Sequence, residues 1–266
     1  MELNIGNKRI EQLFAEFFGL DSSYIHQCYR EFKDAYNQAL NQQHSTYQDG
    51  FISKQKQSWK IRFQEKQTLN NWENSTLIGV DLPLFFKCPE SEAQTVMIVA
   101  QDPLRKRDDF PDFKDEDVVI IGTPFAFHNS KSMQKKTNTK LVLALIKNIV
   151  AKNYHVYVTD VYKVWMKTET GKGLPLLEKD SAIFEQLLRE ELDIIDPKII
   201  ITLGNIARDG YRNISKDFAP ETQKLHKPLT HPSPSAGGKW NELIGEGKTV
   251  WHRLEYLNDK IDKYLD

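Results

Sequence analysis

An apolar run at residues 96–100 ends abruptly at the polar turn Gln101-Asp102-Pro103, and this junction constrains the fold more than any other feature of the chain. The run is short and rich in valine and isoleucine, which is typical of a strand buried on both faces of a parallel sheet. Ligands of such sheets bind at the carboxyl ends of the strands. Pro103 fixes its own φ angle and lacks an N–H donor, so the turn is stiff. The sequence therefore predicts a carboxylate, Asp102, on a rigid sheet edge, although a purely local turn aspartate would give the same pattern.

The same strand pattern recurs along the chain, with helical periodicity between the runs. Strand-like apolar runs lie at residues 117–121, 155–160 and 198–203. An alternation of strands and amphipathic helices is typical of parallel βα units. We therefore predict an α/β fold, namely a three-layer α/β/α sandwich around a mostly parallel central sheet of about four strands.

The first part of the chain has a different pattern. Aromatic residues recur at helical spacing within residues 1–50, which predicts helices. Residues 54–66 place lysines and an arginine around Trp59 and Phe63. This arrangement fits a surface that contacts nucleic acid, but it more often marks an amphipathic helix with a solvated charged face.

The predicted domain organisation follows from these two patterns. Residues 67–92 are polar and contain two prolines, so we expect a connection there. We predict a helical N-terminal extension, residues 1–92, packed on an α/β domain, residues 93–266, as one compact unit.

Composition restricts the class of protein. Hydrophobic residues make up 39% of the chain and charged residues 27%, which is typical of a soluble globular protein. Cys28 and Cys88, the two cysteines, are too few for a four-cysteine zinc or iron–sulfur site, and they fit a reducing cytoplasm. We expect no membrane segment. The net charge of −1 provides no overall attraction to nucleic acid, so DNA binding has to rest on local patches.

A second stiff loop lies far downstream, at Thr230-His231-Pro232-Ser233-Pro234. Prolines on both sides of the serine restrict the backbone directly after the histidine. By itself this loop also fits a rigid surface segment with an incidental histidine. Together with Ala-Gln-Asp-Pro after the first strand, it resembles the uracil-DNA glycosylase superfamily. The resemblance covers residues 93–260.

The resemblance implies a DNA glycosylase, a hydrolase that cuts the N-glycosidic bond of a damaged base in base-excision repair. In that family the first motif supplies a carboxylate for the attacking water, which implies Asp102, and the second supplies a histidine to the base carbonyl, which implies His231. A carboxylate also stabilises positive charge at the anomeric carbon, and a neutral histidine suffices as donor to the leaving base. No metal and no cofactor are implied.

The resemblance also implies residues that hold the base. A family phenylalanine stacks on the flipped base, and the segment Phe-Ala-Phe-His at residues 125–128 implies Phe127, with Phe125 as the alternative. The backbone of Gln101 is implied as a contact to a base carbonyl. Asp160 stands where relatives carry an asparagine that reads the uracil amide. An ionised Asp only accepts hydrogen bonds, so Asp160 suits a base with an amino group, is protonated, or lies outside the pocket.

Candidate DNA contacts flank these positions. Ser130 and Lys131 follow the phenylalanine segment and suit phosphate binding, although a merely solvated loop explains them equally well. In the best-known branch of the family a leucine wedges into the DNA stack at the position of Ser235. Trp240 is an alternative wedge, although packing of its ring is the commoner role. The remaining candidates are Ser233 and Lys239, and the implied partner is DNA with a flipped or unpaired base, bound by a monomer.

Several family positions are altered. Ala100 replaces a glycine, Leu104 replaces a tyrosine that excludes thymine, and Arg105 replaces a histidine. We therefore expect excision of a damaged base, with uracil first. The alternatives are a non-catalytic module that binds nucleic acid or a free base, a glycosylase for another deaminated base or an amino-bearing pyrimidine, and an unrelated α/β protein.

Overall fold

The computed structural model describes residues 2–4, 7–41, 50–51, 56–67, 69, 75–101, 119–135, 137–168, 174–233 and 236–265. Within these residues the strands form two sheets flanked by helices. A search of the same residues finds no helix with both the length and the apolar character of a membrane-spanning segment.

The described part of the chain contains ten strands, eleven α-helices and a short 3-10 helix at Pro124–Ala126. The strands are β1 (Glu2–Asn4), β2 (Gly50–Phe51), β3 (Ser75–Asp81), β4 (Leu84–Lys87), β5 (Thr95–Ala100), β6 (Ile120–Gly122), β7 (His155–Asp160), β8 (Val164–Thr168), β9 (Ile199–Leu203) and β10 (His226–Leu229). The helices are α1 (Lys8–Phe18), α2 (Ser22–Leu40), α3 (Lys56–Gln67), α4 (Ser130–Lys135), α5 (Thr137–Ala151), α6 (Leu174–Lys179), α7 (Ser181–Ile195), α8 (Asn205–Ser215), α9 (Pro220–Lys224), α10 (Gly237–Ile244) and α11 (Val250–Leu265).

The main sheet has the strand order β1-β4-β7-β5-β9-β10. The strands β7, β5, β9 and β10 are parallel, and β4 and β1 continue the sheet in antiparallel pairing. The predicted α/β class and mostly parallel sheet are confirmed, and three of the predicted strands are the neighbours β7, β5 and β9. The fourth parallel strand, β10, has the sequence His-Lys-Pro-Leu and was not predicted as a strand. It lies at the sheet edge, where a proline costs no ladder hydrogen bond.

The smaller sheet has the order β2-β6-β3-β8. The strand predicted at residues 117–121 is described only from residue 119 onward, and its end, β6, pairs with β3 in this sheet rather than in the main one. The expected connection at residues 67–92 is wrong, because β3 and β4 lie within it. The strand β4 pairs with β7, so residues before 93 contribute to the main sheet. The division at residue 92 stays a prediction.

The helices lie on both faces of the main sheet. The crossover from β5 to β7 moves one way along the sheet, and the crossover from β7 to β9 moves the other way. Because such crossovers are right-handed, α5 and α7 lie on opposite faces, which gives the three predicted layers. Arg189 of α7 donates to the Ile214 carbonyl of α8 at 2.8 Å, and Asn148 of α5 donates to Asn258 of α11 at 3.2 Å, so each outer layer has a second helix.

The N-terminal helices predicted within residues 1–50 are confirmed, and their aromatic residues enter the core. Phe17 of α1 contacts Phe184 of α7, with ring centroids 6.0 Å apart. Trp59 and Phe63 of α3 are buried and stack on each other at 5.3 Å. Because both rings are buried, they cannot stack on bases, and the predicted aromatic contacts of residues 54–66 with nucleic acid are excluded. The amphipathic-helix interpretation fits the structure.

Candidate active site

The carboxyl ends of β5 and β7 bring two of the predicted site residues together. Asp160, the last residue of β7, is the register partner of Ala100, the last residue of β5. The carbonyl of Gln101 accepts the Tyr162 N–H at 3.0 Å, which ties the turn after β5 to the segment after β7. Gln101 and Asp160 therefore lie at the same sheet edge, as predicted. Asp102 follows Gln101 directly and lies outside the described residues.

His231 comes to the same edge from β10. Its ring is partly buried, and Nδ1 accepts the backbone N–H of Ser233 at 3.1 Å. An N–H can only donate, so Nδ1 is unprotonated and a neutral ring carries its proton on Nε2. Burial lowers the pKa of His231 to about 4. Near pH 7 the side chain is therefore a neutral imidazole with Nε2–H as its donor.

Two helices after the loop hold His231 in place. The indole Nε1 of Trp240, on α10, donates to the His231 carbonyl at 2.9 Å. Arg253, on α11, donates to the Pro232 carbonyl at 3.3 Å and lies over the Trp240 ring at 5.7 Å. Trp240 is 1% exposed, so its packing role is borne out and it is not a wedge. The sequence analysis did not identify Arg253, which belongs to no motif.

Gly204 is a second residue that the sequence analysis missed as part of the site. It follows β9 with a φ of +92°, and a Cβ placed there would lie 3.0 Å from the Cβ of His231. Both the left-handed backbone and the close approach favour glycine. The sequence signal was the glycine directly after the strand Ile-Ile-Ile-Thr-Leu, where a bend toward a ligand edge is common.

Phe125 faces His231 across the edge. The two rings are 6.3 Å apart and inclined by 23°, a stacked arrangement. Phe125 and Ala126 both adopt left-handed conformations, with φ of 57° and 54°. Such backbone costs about 1–3 kcal/mol per non-glycine residue and is common at functional sites. Thr139 Oγ1, in the first turn of α5, donates to the Phe125 carbonyl at 2.9 Å and fixes the turn.

Phe127, the preferred stacking candidate in the sequence analysis, lies deeper. Its side chain is 0% exposed and packs against Phe86 and Phe125, with ring centroids 5.8 and 6.0 Å away. Phe125 is only partly buried. Of the two predicted phenylalanines, the structure therefore brings Phe125, and not Phe127, beside His231.

A buried polar network holds the end of β7. Lys163 forms an ion pair with Glu191 of α7, with Nζ and Oε2 2.6 Å apart and both side chains buried. Glu191 also accepts hydrogen bonds from Tyr157 at 2.7 Å and from Thr159 at 2.6 Å. Lys163 donates to Thr159 Oγ1 at 2.7 Å and to the backbone carbonyl of Asp160. Asp160 itself is buried, with 2% of the residue exposed.

The predicted DNA contacts are placed only in part. Ser233 is partly buried, and its N–H binds His231. Lys239 is exposed and pairs with Glu242 at 2.7 Å. Ser130 and Lys131 lie on α4, but their side chains are outside the described residues, as is Ser235. Their contacts with DNA stay predictions.

Comparison with known families assigns the chain. A family model described as the uracil DNA glycosylase superfamily matches residues 88–259. The protein belongs to this superfamily. The match spans more than half of this protein's chain and includes the end of β5, the turn at Phe125 and the loop at His231. A comparison with curated proteins found no match. Membership supports a DNA-glycosylase type of function and implies a DNA substrate.

Proposed function

We propose that the protein hydrolyses the N-glycosidic bond of a damaged base in DNA, with uracil as the first candidate, in base-excision repair. The observation that carries this proposal is the neutral His231, held with its proton on Nε2 and stacked beside Phe125 at the sheet edge where Gln101 leads into Asp102.

The reaction breaks the bond between the base nitrogen and the anomeric carbon. Positive charge develops on the sugar, and negative charge develops on the leaving base. In our proposal Asp102 stabilises the sugar cation and accepts a proton from the attacking water, whose oxygen bonds to the anomeric carbon. His231 donates its Nε2–H to a base carbonyl and stabilises the leaving anion. A neutral donor needs no proton uptake before it acts.

Phe125 is the proposed stacking platform for the base. Its ring is partly buried and lies next to the His231 ring, whereas Phe127 is enclosed by other rings. The backbone near Gln101 is the proposed contact to another base carbonyl. Ser130, Lys131, Ser233, Ser235 and Lys239 are the proposed contacts to the DNA backbone, so binding should weaken as salt rises.

A second candidate function is excision of a base other than uracil. Asp160 favours it, because an ionised carboxylate only accepts and matches an amino group better than the O4 carbonyl of uracil. Asp160 ends β7 beside Ala100 and Gln101, and this shared sheet edge supports the proposal that it reads the base. We also propose that the protein acts in the cytoplasm and that it acts as a monomer.

The test is strand cleavage at a single uracil in labelled single- and double-stranded DNA, after alkali treatment. We expect the wild type to cleave, Asp102→Asn to lose about hundredfold or more, and His231→Leu to lose about a hundredfold to a thousandfold in kcat. The matched control is His226→Leu. His226 lies on β10, its pKa is also lowered to about 4 by burial, and it contacts Thr202 and Tyr211 rather than the site.

The outcomes separate the candidate functions. Loss in both site variants with retention in His226→Leu supports the proposed roles. Wild-type cleavage at another deaminated base but not at uracil supports the second candidate. Binding of DNA or free base with no cleavage of any lesion contradicts both and identifies a binding module. Circular dichroism of each variant establishes that it is folded.

A further inference from the structure

The most exposed large apolar side chain in the described part of the chain is Trp251, at the start of α11. It is 57% exposed, compared with 45% for Ile61 and 40% for Leu40. Single exposed apolar residues are common on protein surfaces, so exposure alone has no functional meaning. The functional significance of Trp251 comes from its position relative to the candidate active site.

The pairing of α11 with α5 locates Trp251 along the molecule. Asn148 of α5 contacts Asn258 and Asp262 of α11, Lys152 contacts Asp262, and Tyr154 donates to the Leu265 carbonyl. Along this series of contacts the residue numbers rise together in both segments, so the two helices are parallel. The hydrogen-bonded partners are 110 to 114 residues apart. The spacing of 110 residues between Asn148 and Asn258 pairs Trp251 with Leu141, so Trp251 lies beside the first turns of α5.

Two separate contacts connect these first turns to the site. In α5, Thr139 donates to the carbonyl of Phe125, which stacks on His231. In α11, Arg253 donates to the Pro232 carbonyl directly after His231. The beginnings of both helices therefore lie beside the candidate active site. Trp251 is exposed at this end of the molecule and not at the opposite end of the sheet.

The surroundings of Trp251 favour a nucleic-acid base as its partner. Lys140 lies in the first turn of α5 and Lys248 lies two residues before α11. Both are exposed and can approach phosphates, whereas Glu255, one turn after Trp251, is exposed and repels them. In the sequence Trp251 lies between Lys248 and Glu255, and such mixed charge suits the face of an uncharged base better than the phosphate backbone. Aromatic stacking of this kind tolerates any base sequence.

We propose that Trp251 stacks on an unpaired base of the substrate strand, outside the pocket that holds the excised base. This inference rests on the proposed function for its substrate, since it assumes that DNA is bound at this edge. Trp251 acts in binding, so it changes the affinity for a strand long enough to reach it and leaves bond cleavage in the pocket unchanged.

The kinetic test compares Trp251→Ala, Trp251→Phe and Ile61→Ala with the wild type. Ile61→Ala is the matched control, because it removes an exposed apolar side chain from α3. We expect Trp251→Ala to raise KM about tenfold or more on a single-stranded substrate, with kcat unchanged. Trp251→Phe should restore most of the affinity. An unchanged KM for Trp251→Ala, or an equal rise for Ile61→Ala, overturns the proposal.

A binding test separates this inference from the proposed function. Tryptophan fluorescence is titrated with an oligothymidine strand in the Asp102→Asn background, where no turnover is required. Stacking on Trp251 predicts quenching that is lost in Asp102→Asn/Trp251→Phe and kept in Asp102→Asn/Ile61→Ala. If the wild type cleaves no lesion but this difference persists, the proposed function fails and the stacking contact stands. If the quenching is equal in all three, the stacking contact is refuted, whatever the activity.

Discussion

Lys163 is a buried and His231 a partly buried basic side chain near the carboxyl edge of the main sheet, and they avoid an isolated charge in different ways. Lys163 pairs with Glu191 at 2.6 Å, and hydroxyl groups of Tyr157 and Thr159 complete the network. His231 has its pKa lowered to about 4 by burial and stays neutral. The first arrangement uses the donors of Lys163 within the protein, whereas the second leaves an Nε2–H as a donor for a ligand.

The difference shows how one sheet edge supports both stability and chemistry. A buried ion pair is tolerated only when its partners are all present, because an unpaired buried charge is strongly destabilising. The network therefore holds the end of β7 rigidly and is expected to have no direct part in catalysis. The His231 loop and the strained Phe125 turn are held by hydrogen bonds from three different helices, α5, α10 and α11. Changes in the two regions should have separable consequences.

The largest effect is expected from Glu191→Gln, which leaves the charge of Lys163 buried and unpaired. The free energy of unfolding should fall by about 3–5 kcal/mol, measured by urea denaturation. The control is Glu190→Gln, at the preceding residue of α7. The Glu190 side chain accepts a hydrogen bond from Gln186 at the surface. That change should stay within about 0.5 kcal/mol.

A double variant sharpens this prediction. Lys163→Met combined with Glu191→Leu removes both charges and should recover most of the stability, because a buried pair is often replaceable by apolar residues. If Glu191→Gln alone leaves the unfolding curve unchanged, the ion pair does not stabilise β7 in the way described.

The next effect is the pH dependence of stability from two partly buried histidines, His231 and His226. His231 and His226 both have a pKa lowered to about 4 by burial, so the folded protein binds these protons less readily than the unfolded chain, whose histidines have a pKa near 6.5. The free energy of unfolding should therefore fall as the pH falls from about 6.5 to about 4. The loss is on the order of 3 kcal/mol for His231 and smaller for the less buried His226, whose interactions are screened by solvent.

His226→Gln separates the two contributions. It should remove the smaller part of the histidine-linked loss of stability between pH 7 and pH 4.5, measured by urea denaturation at both values, while the larger His231 contribution persists. A stability difference between these pH values that is the same in the variant and the wild type would contradict the assignment for His226.

The smallest predicted effect concerns the close approach of Gly204 to His231. Gly204→Ala places a Cβ 3.0 Å from the His231 Cβ and forces alanine into a left-handed conformation. We expect a loss of about 1–3 kcal/mol in stability, together with a lower kcat than the wild type because His231 shifts. Gly238→Ala is the control, since a Cβ at Gly238 meets no atom within 4 Å. Equal kcat values for the two variants would show that Gly204 does not position His231.

Local sequence pattern predicted a large part of this fold. The strands β5, β7 and β9 are continuous apolar runs, and a run bounded by turns identifies a strand wherever it lies in the chain. The pattern failed for β3, β4 and β10, which lie in a polar stretch or contain proline. These strands depend on pairing with β6, β7 and β9, and pairing partners are not visible in a single segment.

The candidate site, like the fold, was predicted from the sequence only in part. The sequence by itself predicted that Gln101 and Asp160 lie at the carboxyl edge of one sheet and that His231 lies in a stiff loop, because parallel strands bring their carboxyl ends to one edge. Only the tertiary structure decided that Phe125 rather than Phe127 faces His231, that Ser233 fixes the histidine proton on Nε2, and that Lys163 pairs with Glu191. The ring contact and the ion pair join side chains that are far apart in the sequence, and the bond to His231 joins a backbone N–H to a side chain whose rotamer is set by its surroundings. All three form only when the chain packs.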